Sequence, residues 1–126
     1  EGAGLLLGDL QADGVRRVAR LHPLPNRWEG DGRRRRFRLD PRELMAVEDR
    51  AEQEGLSVVG VFHSHPDHPA VPSTFDLDYA LPFFAYLITS VESGAAAQTR
   101  GWLLSEGRRA FEEARLEVSL ETEENP

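Results

Sequence analysis

Short hydrophobic runs recur along the chain and are separated by glycine, proline and charged residues, a pattern typical of a protein rich in β-strands. Residues 4–10 and 15–24 form two such runs, and the Asp13-Gly14 turn between them favours a hairpin. Residues 57–65 are apolar on both faces in their central part, as expected for a strand buried between two layers. Further extended segments are predicted at residues 33–39, 85–91, 100–104 and 116–120.

A helix is predicted between the second and third of these runs. Asp40 can cap its free N–H groups, Pro41 suits the first helical position, and Glu43 can reach back to the N–H of the cap residue. Gly55 provides the stop signal. One face of this helix carries apolar residues that should pack on a sheet: Leu44, Val47 and Ala51.

A second, shorter helix is predicted after residue 72. Ser73 can cap its first turn, and Pro82 should prevent it from continuing beyond about Ala80. Strands and helices together predict an α/β chain of the α+β type, with a mixed β-sheet core flanked by helices. Because 126 residues with 40% hydrophobic content can form one core, we expect a single domain over residues 1–120. The acidic tail at residues 121–126 is predicted to be disordered.

Composition and charge exclude several functions. The chain has no cysteine, so a disulfide framework and a thiolate metal site are excluded, and a bound metal must use His, Asp or Glu. No apolar run approaches the roughly 20 residues that span a bilayer, so we expect a soluble, cytoplasmic protein that does not bind a membrane. The net charge of −7 argues against nucleic acid as a partner. The run Arg33-Arg34-Arg35-Arg36 is interpreted as a solvated loop, because it follows a segment rich in glycine and acidic residues.

Two histidines at the end of the predicted strand 57–65 are the first candidates for chemistry. Side chains alternate along a strand, so His63 and His65 point to the same side, as two ligands of one metal must. Asp76 lies one turn inside the following helix, from which it can face back toward the histidines. Three nitrogen and oxygen ligands, with a fourth position left for water, are typical of a catalytic zinc site.

Each of these residues also has a structural explanation. Ser73 and Asp76 have the spacing of an ordinary helix cap, and a single histidine near a strand end is usually a satisfied polar residue. We favour the metal site because the two histidines, the proline-containing turn and the capped helix occur together. His68 is interpreted as an exposed turn residue, and His22 as a structural one.

A zinc hydrolase also needs a base that accepts a proton from the bound water. Most carboxylates of the chain are predicted on helix or loop surfaces, whereas Glu1 directly precedes the small and apolar residues 2–8. A charged side chain next to a buried strand indicates a functional role. Simple exposure also explains a terminal glutamate, and sequence spacing alone does not join Glu1 to His63.

Taken together, these residues resemble the motif of the JAMM, or MPN-plus, metallopeptidases of the Mov34-like superfamily. The family pattern is a glutamate before an apolar, glycine-containing strand, then His-Ser/Thr-His-Pro, then Ser-x-x-Asp. The chain has Glu1, the sequence His-Ser-His-Pro at residues 63–66 and Ser-Thr-Phe-Asp at residues 73–76. The resemblance implies the MPN/JAMM fold, a cytidine-deaminase-like arrangement of a β-sheet core flanked by helices.

The resemblance also implies roles for individual residues. It makes His63, His65 and Asp76 the ligands of one zinc ion per chain, Glu1 the general acid/base and Ser73 the donor that stabilises the oxyanion. Family members hydrolyse peptide or isopeptide bonds after the C-terminal Gly-Gly of ubiquitin or ubiquitin-like proteins, and the small bacterial members are associated with sulfur-carrier proteins. The implied activity is therefore a zinc-dependent, deubiquitinase-like isopeptidase that acts on such a carrier. Because a helix usually precedes the glutamate in this family, residues upstream of Glu1 are expected.

Three other functions stay open at this point. A non-catalytic MPN scaffold would use the same fold for assembly, but it would lack ligands that this chain has. RadC-like proteins associated with DNA repair share the His-x-His-Pro and Ser-x-x-Asp pattern, although the acidic charge and the strand after Glu1 favour a peptidase. A small acylated amino acid is a third alternative, as a substrate in place of a protein adduct. The substrate-binding residues and the oligomeric state are not predicted.

Overall fold

The sheet that carries the two histidines has six strands in the part of the chain that the structure describes. The structure is a computed structural model that describes residues 2–29, 37–78, 80–81, 84–105 and 110–118. In chain order the elements are β1 (Ala3–Leu10), β2 (Arg16–Leu24), α1 (Pro41–Gln53), β3 (Ser57–Pro66), α2 (Thr74–Asp78), β4 (Ala85–Glu92), β5 (Ala95–Leu104) and β6 (Phe111–Ala114).

The strands lie in the order β2-β1-β3-β4-β5-β6. Neighbouring strands are antiparallel, except that β3 and β4 run parallel. The connection between this parallel pair contains α2, as a parallel pairing requires a crossover segment rather than a tight turn. The mixed sheet with its helices confirms the predicted fold class.

The hairpin of β1 and β2 confirms the predicted turn at residues 11–14. The N–H of Gly14 donates to the carbonyl of Gln11 at 2.9 Å, and the N–H of Val15 donates to the Asp13 carboxylate at 3.0 Å. Gly14 adopts a φ of 89°, a left-handed conformation that glycine reaches without steric cost. Both residues of the Asp-Gly pair therefore stabilise the turn, Asp13 through its carboxylate and Gly14 through its backbone conformation.

Helix α1 begins as the sequence predicts, but one side chain of its first turn has a different partner. The Asp40 side chain accepts a hydrogen bond from the Arg42 N–H at 2.9 Å, and Pro41 is the first helical residue. The prediction that Glu43 bonds back to the N–H of the cap residue is wrong. Its two carboxylate oxygens instead accept from the Arg27 guanidinium at 3.2 and 2.8 Å, because the loop after β2 brings this arginine to the helix start.

The hydrophobic core lies between α1 and one face of the sheet, which we call the inner face. Val47 and Ala51 of the helix are buried and Leu44 is partly buried, which confirms the predicted apolar stripe. They pack toward inner-face residues of four strands: Leu5, Leu7, Val61, Tyr86, Ile88 and Trp102. His63 lies two residues after Val61 along β3 and therefore also points to the inner face.

The last strands differ from the prediction. Strand β5 begins at Ala95 rather than at residue 100, after a turn in which Ser93 and Gly94 both have positive φ. The predicted strand at residues 116–120 is wrong, since residues 116–118 form no strand and Val118 is 83% exposed. Strand β6 forms earlier, because Phe111 packs edge-to-face on Tyr86 with ring centroids 5.5 Å apart.

Two further predicted elements are shorter than expected or absent, and some predictions fall outside the described ranges. Helix α2 ends at Asp78 rather than near Ala80, and residues 37–39 form no strand. The arginine run at residues 33–36, Pro82 and the tail at residues 121–126 lie outside the described residues. None of the helices in the described ranges is long and apolar enough to cross a membrane.

Close packing between β1, β3 and β4 depends on Gly60 at the centre of the sheet. A Cβ atom at this position would lie 2.3 Å from the Ala85 carbonyl oxygen and 2.8 Å from the Leu6 side chain. Gly101 in β5 has more space, because the atom nearest to a Cβ added there would be a Leu87 methyl at 3.3 Å. The two glycines thus form a matched pair for testing the packing of the sheet.

We predict that Gly60→Ala destabilises the protein by about 2 kcal/mol, because overpacking a core forces the backbone to move. Gly101→Ala should cost clearly less, because a methyl group can shift by a few tenths of an ångström. Urea unfolding followed by circular dichroism measures both variants. Equal losses in the two variants would contradict the contact at the Ala85 carbonyl as the cause.

Candidate metal centre

The end of β3 brings two imidazole rings together on the inner face. His63 is 1% exposed and His65 is 5% exposed. Their Nε2 atoms lie 3.2 Å apart, as expected for side chains two residues apart on a central strand. The backbone neighbours of β3 hold this end on both sides, with Ala3 opposite His63 and Ser90 beside His65.

Asp76 reaches the same point from the first turn of α2. Its Oδ1 atom lies 3.3 Å from His63 Nε2, and its Oδ2 atom lies 3.3 Å from His65 Nε2. A reciprocal cap holds the aspartate in place, because the Ser73 N–H donates to Asp76 Oδ2 at 2.9 Å and the Asp76 N–H donates to Ser73 Oγ at 3.0 Å. The capping role and the cluster role considered from the sequence therefore coexist.

The geometry of the three side chains fits a tetrahedral metal ion. One ligand atom from each of His63, His65 and Asp76 lies within 4.8 Å of the others, and all three residues are buried. Ligand atoms about 2.0 Å from a tetrahedral zinc would lie about 3.3 Å from one another. The two Nε2 atoms are 3.2 Å apart, and each lies 3.3 Å from one Asp76 oxygen, a different oxygen for each ring. Asp76 Oδ1 is buried with no hydrogen-bond partner among the described residues. Two imidazoles and a carboxylate could therefore hold zinc and leave a fourth position for water.

The surroundings of the two histidines differ. His65 Nδ1 lies 2.9 Å from the Pro69 carbonyl oxygen, which can only accept, so Nδ1 carries a proton and Nε2 is the ring nitrogen that faces the cluster. His63 packs against the Phe37 ring, with centroids 4.5 Å apart and planes inclined by 30°. His63 Nδ1 is buried without a partner among the described residues.

Burial and mutual contacts set the protonation states. Burial lowers the pKa of His63 by more than the contact with Asp76 raises it, so this ring is neutral near neutral pH. Burial alone would raise the pKa of Asp76, but the contacts with His63 and His65 and the Ser73 N–H hold it well below the usual carboxyl range. A neutral His63 ring beside an ionised Asp76 carboxylate is the combination that metal binding requires.

An apolar cavity of about 410 Å³ adjoins Asp76. Its floor is the inner face of the sheet, and its walls come from the loop after β2, the start of α1 and the segment after α2. The lining side chains are mainly aromatic and aliphatic, and Arg38 contributes the cationic one: Leu5, Trp28, Phe37, Arg38, Leu39, Pro41, Leu44, Val61, Asp76, Leu81, Phe84 and Tyr86. A ligand in this cavity would lie directly beside Asp76, one of the candidate metal ligands.

The remaining predicted site residues have different positions. Ser73 is exposed at the edge of the cluster, and Glu1 lies outside the described residues. The two residues after Glu1 lie beside the histidine strand, because the Gly2 N–H donates to Ser64 Oγ at 2.8 Å and Ala3 pairs with His63. His68 is exposed and His22 lies on β2, and neither belongs to the buried cluster found among the described residues.

Sequence reasoning missed three contributors to this centre. Phe37 covers His63, and the Pro69 carbonyl contacts His65. Trp102 donates a hydrogen bond to the loop between β3 and α2. The proline-rich turn signals that the loop is constrained, but no local pattern shows which backbone carbonyl faces a ring nitrogen. The sequence offers one signal, for Trp102: a buried tryptophan usually finds a hydrogen-bond partner for its indole N–H.

A mixed sheet with a buried cluster of two histidines and an aspartate at the end of a central strand defines the class of protein. The chain belongs to the prokaryotic homologs of the JAB domain, a family that matches residues 1–105. The match includes both parts of the histidine and aspartate motif, and it confirms the resemblance to the small prokaryotic JAMM/MPN proteins.

Individual relatives extend this comparison. The chain is similar to the desampylase of Pyrococcus furiosus, with 37% identity over 60% of this chain and 52% of that protein. It is also similar to a probable TtuB-protein conjugate cleaving protease of Thermus thermophilus, with 32% identity over 86% of this chain and 64% of that protein. The chain thus spans between half and two thirds of these relatives.

A solved structure supports the fold independently. The solution structure of a protein from Salinibacter ruber is 44% identical, covers 92% of this chain and 76% of its own, and superposes with a TM-score of 0.72.

We predict that the metal-free protein becomes less stable as the pH is lowered from about 7 to about 3. The folded-state pKa of His63 lies below its ordinary value of 6.5, so the unfolded chain takes up this proton first and stability falls below that pH. The lowered pKa of Asp76 acts in the same direction below about pH 4. Urea unfolding of chelator-treated protein across this range measures the effect.

Asp76→Asn provides the control for the acidic part of this curve. It removes the carboxyl group but keeps the side-chain volume, so its stability should depend less on pH below about pH 4. An unchanged slope in this variant would assign the loss to other carboxylates.

Proposed function

We propose that this chain is a zinc-dependent peptidase or isopeptidase that hydrolyses the bond after the C-terminal Gly-Gly of a ubiquitin-like or sulfur-carrier protein joined to another molecule. The observation that carries the proposal is the buried cluster of His63, His65 and Asp76, whose candidate ligand atoms lie within 4.8 Å of one another. The names of the relatives, a desampylase and a TtuB-protein conjugate cleaving protease, support the substrate class. The proposed catalytic unit is residues 1–120, acting in the cytoplasm.

One zinc ion per chain is the cofactor of this proposal, held by His63, His65 and Asp76. Zinc in such a site supplies a bound water whose pKa falls from 15.7 to about 7, and it polarises the carbonyl of the scissile bond. The lowered pKa values of His63 and Asp76 favour a neutral ring beside an ionised carboxylate, which are the forms that bind a metal. A substrate group that fills the apolar cavity beside Asp76 would exclude bulk water on that side.

Glu1 is the proposed general acid/base. A carboxylate at this position would accept a proton from the attacking water and deliver it to the departing amine. The family motif supports this role. The pairing of Gly2 and Ala3 with Ser64 and His63 also supports it, because it directs the start of β1 toward the candidate metal centre.

Ser73 is the proposed donor to the oxyanion. Its oxygen accepts the Asp76 N–H, which leaves the hydroxyl hydrogen available to donate to a substrate oxygen. A hydrogen bond that strengthens as charge develops on this oxygen lowers the barrier by roughly 3 kcal/mol. The same serine thus orients a metal ligand and faces the substrate from the exposed side of the cluster.

A flexible Gly-Gly tail suits this site for physical reasons. Glycine has no side chain beyond hydrogen, so an extended Gly-Gly tail can approach the buried candidate metal ligands closely. The cavity next to Asp76 offers apolar surface to a neighbouring part of the substrate. The partner we propose is therefore a small folded carrier with an extended C-terminus, and not a nucleic acid or a membrane.

We predict that the protein binds about one zinc per chain and cleaves a sulfur-carrier protein extended past its Gly-Gly. Chelation should abolish cleavage, and zinc should restore it, because the bound water is needed for attack. Metal analysis and mass spectrometry of the cleavage products measure the two properties. His65→Ala should lose both.

His68→Ala is the matched control, because His68 is an exposed histidine three positions away that lies outside the cluster. It should keep both zinc and cleavage. Zinc without cleavage of any Gly-Gly adduct would point to an assembly role or to a small acylated substrate, and a protein that binds no zinc would overturn the proposal.

We predict that Glu1→Gln and Ser73→Ala separate the chemical step from metal binding. Both variants should keep zinc, while Glu1→Gln loses cleavage and Ser73→Ala lowers kcat by about 100-fold, in line with the loss of one oxyanion donor. Ser73→Thr retains a hydroxyl for both the cap and the donor role, so it should recover part of the rate. Normal cleavage by Glu1→Gln would remove this residue from the mechanism.

A further inference from the structure

The loop between β3 and α2 is held by two hydrogen bonds on adjacent carbonyl groups. The Pro69 carbonyl accepts from His65 Nδ1 at 2.9 Å, and the Ala70 carbonyl accepts from Trp102 Nε1 at 3.1 Å. Ala70 is fully buried in the core, so its backbone lies against the inner face rather than in solvent. The loop that carries the partner of His65 is therefore fixed at the next residue by an indole from β5.

The indole is itself held in place. Trp102 is 8% exposed and pairs with Tyr86 across β4 and β5. The Arg100 guanidinium lies 4.9 Å from the centroid of the Trp102 ring, on the same face of β5. Arg100 is fixed in turn by Glu113 of β6, through two hydrogen bonds of 2.8 and 2.6 Å. A series of contacts thus connects the last strand of the sheet to the loop beside His65.

We propose that Trp102 is a positioning residue of the metal centre, which acts through the loop to select the tautomer of His65. Only two backbone torsions separate the Ala70 carbonyl from the peptide group that contains the Pro69 carbonyl. A hydrogen bond that holds the Ala70 carbonyl therefore limits the rotation of the peptide group that contains the Pro69 carbonyl. With the Pro69 carbonyl in place, Nδ1 of His65 keeps a proton, and Nε2 is the nitrogen that can offer its lone pair to a metal beside Asp76 and His63.

Loss of the indole N–H would affect this loop directly. The Ala70 carbonyl would become a buried acceptor without its partner, which is unfavourable unless the backbone turns to find another donor. A turn at Ala70 moves the Pro69 carbonyl away from His65 Nδ1. The proton could then occupy either ring nitrogen, and the tautomer with Nε2–H cannot bind a metal through Nε2.

The test is Trp102→Phe, which keeps an aromatic ring but removes the N–H donor. Nitrogen-15 NMR of the metal-free protein should show His65 as a single Nδ1–H tautomer in the original protein and as a mixture in the variant. The zinc dissociation constant, measured by competition with a chelator, should rise about tenfold, as for other changes to groups that orient ligands. Neither the tautomer measurement nor the zinc affinity measurement requires catalytic activity.

Thr99→Val is the matched control. Thr99 also lies on β5 and bonds through its hydroxyl to Thr89 at 2.7 Å, but it alternates with Arg100 and so faces away from the metal centre. This variant should leave the tautomer and the zinc affinity unchanged. If Trp102→Phe lowers stability but leaves both readings unchanged, Trp102 has only a structural role and the inference is wrong.

Two further measures keep the test decisive. If Trp102→Phe does not fold, β-(3-benzothienyl)alanine incorporated at residue 102 in a Trp28→Phe protein preserves the ring shape without the N–H, and the same two readings apply. The affinity reading rests on the proposed zinc function, whereas the tautomer is read without metal. A protein that binds no zinc would therefore overturn the proposed function, while the tautomer would still decide the role of Trp102.

Discussion

Burial of three polar side chains inside an apolar core is the constraint on which the rest of this structure depends. His63, His65 and Asp76 are almost completely removed from solvent, and such groups are costly unless they find partners. The protein provides partners for most of their polar atoms, through mutual contacts, the Ser73 N–H and the Pro69 carbonyl. The atoms left over point to a metal ion, and binding of that ion would add to the stability of the fold.

The elements around the cluster are arranged so that these side chains have little freedom. Strand β3 lies between β1 and β4, and so it is held by hydrogen bonds along both edges. The short helix α2 places its aspartate through a cap that uses the same serine proposed for the chemistry. Sites built on rigid elements hold their geometry better than sites on free loops. The intervening loop gains comparable rigidity, because Ala70 is buried and its carbonyl bonds to Trp102.

Much of the fold could be predicted where short-range chemistry decides the structure. The Asp13-Gly14 turn and the Asp40-Pro41 helix start follow from local backbone preferences, and the structure has both. Predictions failed where a distant partner decided the outcome. Glu43 pairs with Arg27 rather than with its own helix start. Strand β6 forms at Phe111, because the Tyr86 ring and β5 offer it a partner surface.

The candidate site shows the same distinction between features decided by nearby residues and features decided by distant ones. The sequence by itself determined the types of the candidate ligands and the common side of the two histidines, because strand alternation places His63 with His65 and helix capping links Ser73 to Asp76. Only the tertiary structure decided that these two segments converge to separations of 3.2–3.3 Å, that Phe37 covers one ring, and that Trp102 steadies the loop beside the other. The physical reason is that alternation and capping act over a few residues, whereas convergence depends on pairing and packing between strands that are distant in the chain.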